Sequence, residues 1–326
     1  MDGKTQRYEI SRRQFLKFGG LALGAAISAP VFGMPAYIQN LGKPNSLFKG
    51  VQVGVITYSF RTMPSGAEDL LGYCIRANVS AVELMGPAAE AFAGAPQPPA
   101  KTGDDDEDKA AYGRYLNMLA HWRANVPMTR FEQLRQLYKD SGVSIYGYKP
   151  SALGATNTDA EIDYAFRAAK ALGANQANVE FPQDPAHTAR LGRIAARNKV
   201  YVGYHGHLQQ TFDMWDGAIR QSRYNAANFD MGHYVAAGFD PIAFMEAKHR
   251  HIVSMHVKDR RSKANGGANL LWGEGDTPIA EALRLMAVCK YKFPATVELE
   301  YAIPEGSDAV KEVARCVEFA RKALKA

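Results

Sequence analysis

The chain predicts a single (β/α)8 TIM barrel, eight parallel strands ringed by helices, and three observations point to it. Short apolar runs alternate with helix-spaced stretches from about residue 50 onward. Successive runs end in ionisable groups, in Asn178-Val179-Glu180, Tyr204-His205-Gly206-His207, Phe229-Asp230, His256-Val257-Lys258 and Val297-Glu298. Strands buried on both faces read this way as they emerge into a barrel mouth. Finally, Thr57-Tyr58-Ser59-Phe60-Arg61 stands at the end of the first strand, where an open doubly wound sheet would lead into a Gly-rich phosphate turn.

The first strand is the β-branched run from Val51 to Phe60, and Glu68 to Ala77 carries the spacing of its helix. Ala81 to Leu84 is the second strand. The rhythm then breaks between Pro87 and Pro127, which hold Ala-Pro-Gln-Pro-Pro, the acidic run Asp104 to Asp108 and a short helical pattern around Tyr112 to Trp122. This predicts a long insertion after the second strand, lying over the barrel mouth. The acidic run lacks Gly-centred calcium spacing and reads as a solvated loop.

Regularity resumes with a helix from Phe131 to Asp140, a strand from Val143 to Tyr148 and a helix from Ala160 to Leu172 that stops at Gly173. The fourth to sixth strands are Gln176 to Phe181, Val200 to His205 and Ala226 to Asp230, with helices His187 to Asn198 and Met214 to Arg220 between them. A helix from Pro241 to Lys248 opens with proline in its first turn. Ile252 to Val257 and Ala295 to Leu299 complete the strands, and Ile279 to Cys289 and Ala309 to Leu324 complete the helices.

The 326 residues suffice for one such barrel, and 47% hydrophobic with 22% charged residues is ordinary for a globular protein. Half of the formal charge of +6 sits in the first seventeen residues, where five cations face only Asp2 and Glu9. The remainder is too mild to imply nucleic acid. Ser11-Arg12-Arg13-Gln14-Phe15-Leu16-Lys17, followed by an apolar run of small residues to about Gly33, has the form of a twin-arginine export signal over residues 1–36. Cleavage after Ala29, Gly33 or Ala36 fits equally. The run is too short and too rich in Gly and Ala for a stable membrane span. The expectation is a folded protein exported by the twin-arginine machinery to the periplasm or another extracytoplasmic space, with its barrel over residues 50–326. Cys74, Cys289 and Cys316 lack metal-ligand spacing and read as small buried hydrophobes, with a Cys289–Cys316 disulfide left open. The sequence leaves room for a homo-oligomer.

Glu180, His205, Asp230, His256 and Glu298 all fall at strand ends, where a barrel assembles its chemistry. Three carboxylates with a histidine form an oxygen and nitrogen set suited to a divalent ion, Mn²⁺ foremost, with Mg²⁺, Co²⁺ or Zn²⁺ as alternatives. His233, three residues past Asp230, is placed to bind substrate. Lys258 shares a strand face with His256 and can answer a developing negative charge. His205 and His207 share a face suited to sugar hydroxyls. Glu83 ends the second strand as a further inward carboxylate. In Val297-Glu298-Leu299-Glu300-Tyr301 both glutamates point inward by period two.

These residues resemble the sugar phosphate isomerase/epimerase-like barrels, which include xylose isomerase-like enzymes, ketose 3-epimerases, inosose isomerases and dehydratases, and endonuclease IV. The resemblance runs from about Val51 to Leu324. The family's Asp-x-x-His turn is similar to Asp230 and His233, its His-x-Lys-Asp strand end to His256, Lys258 and Asp259, and its glycine-rich loop to Trp272-Gly273-Glu274-Gly275. It implies a metal held by Glu180, Asp230, His256 and Glu298, the family pattern favouring Glu298 over Glu300. It also implies an isomerase or epimerase in which Glu180 and Glu298 exchange a proton beside a substrate carbonyl, with Lys258 assisting. The same chemistry taken one step further gives a lyase on keto-sugars or 3-keto-glycosides. A non-catalytic sugar-binding protein is the alternative outside catalysis.

Overall fold

The computed structural model describes residues 42–325, so the expected export segment lies outside the described residues. Eight strands form the barrel: β1 (Val51–Ile56), β2 (Ala81–Met85), β3 (Ser144–Lys149), β4 (Gln176–Glu180), β5 (Tyr201–His205), β6 (Asn225–Asp230), β7 (Ile252–Val257) and β8 (Ala295–Val297). Each runs parallel to its neighbour, and β8 pairs with β1, Ala295 opposite Val53, which closes the ring. A two-residue strand, Leu47–Phe48, adds antiparallel to β1, and Asp259–Arg260 pairs with Asn269–Leu270 in a small hairpin after β7.

The helices are α1 (Ala67–Arg76), α2 (Gly86–Phe92), α3 (Asp105–Asn125), α4 (Thr129–Asp140), α5 (Asp159–Leu172), α6 (Pro185–Asn198), α7 (Asp216–Gln221), α8 (Met231–Ala237), α9 (Pro241–Lys248), α10 (Ile279–Cys289) and α11 (Ala309–Lys325). Local chemistry sets several ends. Thr158 and Glu161 cap α5 reciprocally, and Gly173 stops it at φ 85°. Asp184 and Asp240 accept backbone N–H groups at the starts of α6 and α9, each with proline in the first turn.

Register brings the strand ends to one level. Glu180 lies opposite His205, His205 opposite Asn228, Asp230 opposite His256, and His256 opposite Thr296. Below that level, small and large side chains interdigitate. A Cβ at Gly203 would stand 2.0 Å from Asn178 Oδ1, and one at Gly54 2.7 Å from the Tyr146 ring. Tyr146 OH bonds Thr296 Oγ1 at 2.6 Å, and Gln176 donates to Ser254 Oγ at 2.6 Å, so these two polar pairs meet across the inside of the barrel.

The insertion differs from expectation. Asp104 to Asp108 is no loop: Asp104 accepts from Asp106 N and Glu107 N as the cap of α3, and the following acids fill its first turn. Carboxylates there face the exposed amide end of the helix, which favours them. Consequently α3 extends well beyond Tyr112 to Trp122 at both ends. Its last turn is anchored by Arg123, 3% exposed, whose Nε meets Glu90 Oε1 at 2.8 Å and whose NH2 meets Ser151 Oγ at 2.7 Å. Glu161 Oε1 is a further partner at 3.3 Å. Since Glu90 and Ser151 lie just beyond β2 and β3, this tether holds the insertion to the rim between those strands.

The first strand stops at Ile56, with residues 57–60 in a 3-10 turn, and the eighth stops at Val297. The short helices α2 and α8 escaped the periodicity, each being only seven residues long. Cys74 and Cys316 are buried, whereas Cys289, the last residue of α10, is exposed. All three are free thiols, so the disulfide is not formed.

Candidate active site at the barrel mouth

Asp230 ends β6 and caps α8, Oδ1 accepting His233 N at 2.7 Å. Its Oδ2 is buried without an aligned hydrogen bond, 2.9 Å from Lys258 Nζ and 4.0 Å from His205 Nε2. Lys258, 2% exposed, holds its ammonium among three carboxylates, with Asp230 Oδ2, Glu298 Oε2 at 2.8 Å and Glu300 Oε2 at 3.0 Å. Burial opposes charge on Lys258, but these carboxylates outweigh it and raise the pKa. Gly232 makes the approach feasible, since a Cβ there would lie 2.3 Å from Lys258 Cγ.

His256 lies between two carboxylates, Nδ1 2.9 Å from Glu298 Oε2 and Nε2 2.9 Å from Glu83 Oε2. Burial would lower its pKa, yet Glu83 and Glu298 lift it to about 10. Glu298 is driven the other way. Burial raises it, but Lys258 and His256 hold it well below the usual carboxylate range. His205 is buried and kept neutral, first by burial and then by the charge on His256. His233 is pushed down to about 3 by burial and by Lys258.

Glu83, fully buried, organises both deeper imidazoles. Its Oε2 takes His256 Nε2 and also Asn228 Nδ2 at 3.3 Å, while Asn228 Oδ1 faces His205 Nδ1 at 3.2 Å. An amide turned with its nitrogen to Glu83 offers oxygen to His205, which therefore carries its hydrogen on Nδ1. His205 Nε2 and His256 Nδ1 are left facing Asp230 and Glu298. One donor atom from each of His205, Asp230, His256 and Glu298 lies within 4.8 Å of the others. Asp230 Oδ2, buried with no aligned hydrogen bond although the Lys258 ammonium lies beside it, the two oriented imidazoles and the mixed oxygen and nitrogen donors fit a divalent cation.

Of the predicted residues, Asp230, His256, Glu298, Lys258 and Glu300 therefore meet at one point, with Glu83 beneath them. Glu180 stands outside the four-residue group. Its side chain is 53% exposed on the rim, 2.8 Å from Lys149 Nζ and 3.3 Å from His207 Nε2. His233 Nε2 lies 3.6 Å from Glu300 Oε2, and its ring centroid is 4.8 Å from that of His207. Three contributors went unnoticed in the sequence. Lys149 ends β3, so the strand-end rule applied there would have found it; Asn228 and Arg260 carry no comparable signal. Asp259, the last residue of the His-x-Lys-Asp run, faces away and accepts Gly273 N, Gly275 N and Thr277 N, fastening the glycine-rich loop.

If Glu83 orients both imidazoles, Glu83→Gln should lower divalent-metal affinity about 10–100-fold while leaving the fold in place. Titration calorimetry with Mn²⁺ and a thermal melt check this, and unchanged affinity would remove Glu83 from the metal's surroundings.

An eight-stranded parallel barrel with a carboxylate, histidine and lysine cluster at its carboxyl-terminal mouth has its ionisable groups where such barrels build their active sites. The chain belongs to the xylose isomerase-like TIM barrel family, whose model matches residues 112–322. No curated protein matches the sequence. Among solved structures, the probable 3-DHS dehydratase involved in petrobactin synthesis from Bacillus anthracis is 14% identical, covering 82% of this chain and 97% of its own, with a TM-score of 0.59. The apo form of 3-keto-D-glucoside 4-epimerase from E. coli is 10% identical over 83% and 99% of the two chains, TM-score 0.57. A xylose isomerase-like TIM barrel protein from Mycobacterium smegmatis in complex with magnesium is 14% identical over 84% and 96%, TM-score 0.54. At these identities the likeness is one of fold.

Proposed function

We propose that the protein is a metal-dependent sugar isomerase or epimerase that moves a proton at a carbon beside a carbonyl. The observation that carries this reading is the buried group of Asp230, His256, Glu298 and Lys258, in which ionised carboxylates are held among cations at a barrel mouth. A divalent ion held by Asp230, His256 and Glu298, with Glu180 or His205 completing the set, would supply a Lewis acid for the substrate's carbonyl and neighbouring hydroxyl. Mn²⁺ is the first choice, with Mg²⁺, Co²⁺ and Zn²⁺ as alternatives.

The remaining work falls to the chain. Glu298, kept ionised by Lys258 and, in the metal-free site, by His256, can take a proton from the carbon beside the carbonyl. Glu180 is the second carboxylate, able to return it from the rim, where Lys149 holds it. Lys258 answers the negative charge that develops on the substrate oxygen. His233, His207 and Glu300 line the approach and can bind hydroxyls.

A lyase acting on keto-sugars or 3-keto-glycosides is the second reading, because an exported enzyme would meet glycosides and one of the similar structures is a probable 3-DHS dehydratase. One experiment separates the two. Metal-loaded protein incubated in D₂O with a panel of keto-sugars and 3-keto-glycosides should introduce deuterium beside the carbonyl; the lyase would instead accumulate an unsaturated, ultraviolet-absorbing product. Neither result across the panel would overturn both readings in favour of sugar binding alone.

We also propose export by the twin-arginine route, on the strength of Arg12-Arg13 and the small-residue apolar run after them. Replacing both arginines with lysine should leave the precursor in the cytoplasm on fractionation. Undiminished export would refute the assignment. Among the described residues no helix is long and apolar enough to cross a membrane.

A further inference from the structure

His205, His207 and His233 each place one ring nitrogen within 4.8 Å of the other two, beside the carboxylate cluster. Three imidazoles so close would hold a second metal ion only if His233 turned a lone pair toward its neighbours. Arg260 prevents this. Its NH1 meets His233 Nδ1 at 2.5 Å, and a guanidinium offers donors only, so Nδ1 is the lone-pair nitrogen and the ring hydrogen sits on Nε2. The guanidinium is itself fixed, since Nε and NH2 both donate to Gly267 O, and Arg260 pairs with Asn269 in the hairpin after β7. Gly267 offers that carbonyl from φ 66°, a conformation glycine adopts without strain.

The other end of the ring has no such partner. His233 is 8% exposed, its backbone N–H is tied to Asp230, and Nε2 makes no hydrogen bond. Glu300 Oε2, 3.6 Å away, is the carboxylate facing it. A buried donor left open in this way matches a ligand oxygen that accepts.

We propose that Arg260 is a positioning residue that holds His233 as the Nε2–H tautomer, so that the site presents one fixed donor beside Glu300 to an oxygen of a polyhydroxylated carbonyl substrate. The substrate class rests on the sugar isomerase or epimerase reading above; the tautomer does not. The three-histidine group is then a hydrogen-bonding wall of the pocket, with the metal confined to the carboxylate cluster.

Long-range ¹H–¹⁵N correlation spectra of full-length, histidine-labelled protein test this without substrate, with the His233 signals assigned by their loss in His233→Gln. Wild type should show His233 protonated on Nε2 alone. Arg260→Met should convert it to the Nδ1–H form or a mixture, with the thermal midpoint unchanged, and raise KM for a turned-over keto-sugar about tenfold, worth about 1.4 kcal/mol. Arg260→Lys, which keeps a donor, should restore part of the Nε2–H signal. An Nδ1–H or doubly protonated His233 in wild type overturns the proposal, a result that stands even if Arg260→Met does not fold. A wild-type Nε2–H signal with no turnover of any sugar would instead sink the functional reading and leave the assignment of Arg260 intact.

Discussion

Glu298→Gln is expected to keep the barrel folded and to lose about 10²–10⁴-fold in turnover, the range for removal of a positioned general base. Glu298 Oε2 is the shared partner of His256 Nδ1 and Lys258 Nζ, at 2.9 and 2.8 Å. An amide in its place brings no negative charge to either cation and cannot accept a proton from carbon. Because the same carboxylate is a proposed metal ligand, activity alone does not separate the two roles. Metal content and solvent deuterium exchange, measured on the same preparation, do. Exchange should be suppressed in variant protein that still carries metal. Near wild-type exchange would exclude Glu298 as the base and direct attention to Glu300, whose side chain is 23% exposed and also reaches Lys258. Glu300→Gln serves as the comparison and should cost less, since it leaves the His256 contact untouched.

Lys258→Met should reduce kcat about 10²–10³-fold with little change in KM, as loss of a preorganised donor to a developing oxyanion does. The ammonium is the common cation of Asp230, Glu298 and Glu300, so its removal also leaves three carboxylates crowded together. The metal-free variant should therefore be less stable than wild type, with bound divalent ion narrowing the gap. Lys258→Arg, which keeps the charge, separates the loss of charge from a folding defect. Steady-state kinetics and thermal melts with and without metal check both points. A raised KM at unchanged kcat would mean that Lys258 binds substrate and transition state equally, contrary to the proposed role.

The barrel was legible in the sequence because its information is local. A parallel strand covered on both faces must be apolar over five or six residues, and the groups that leave that environment do so at its carboxyl end. That rule alone located Glu83, Glu180, His205, Asp230, His256 and Glu298, and period two put Lys258 on the face of His256 and Glu300 on that of Glu298. It could not rank them. Whether Glu180 or His205 stands nearer Asp230 depends on side-chain direction at the rim, where Lys149 and His207 draw Glu180 outward. The acidic start of α3 differs from the sequence expectation for a related reason: a capping run and a solvated loop have the same composition, and only the acceptance of the Asp106 and Glu107 N–H groups by the Asp104 carboxylate distinguishes them.

What the sequence determined by itself was the fold, the strand-end inventory of the mouth and the kinds of donor atom present. What only the tertiary structure decided was which atom of each group faces which. Glu83 and His256 are 173 residues apart, and nothing between them announces that one carboxylate, through His256 directly and through Asn228, sets the orientation of two imidazoles. Arg260 acts likewise on His233 across 27 residues and a loop that ends in a glycine carbonyl. Such assignments follow from closing the barrel, which turns residues distant in the chain into neighbours within hydrogen-bond reach. There the direction of a single N–H, which no residue identity encodes, settles what each side chain can do.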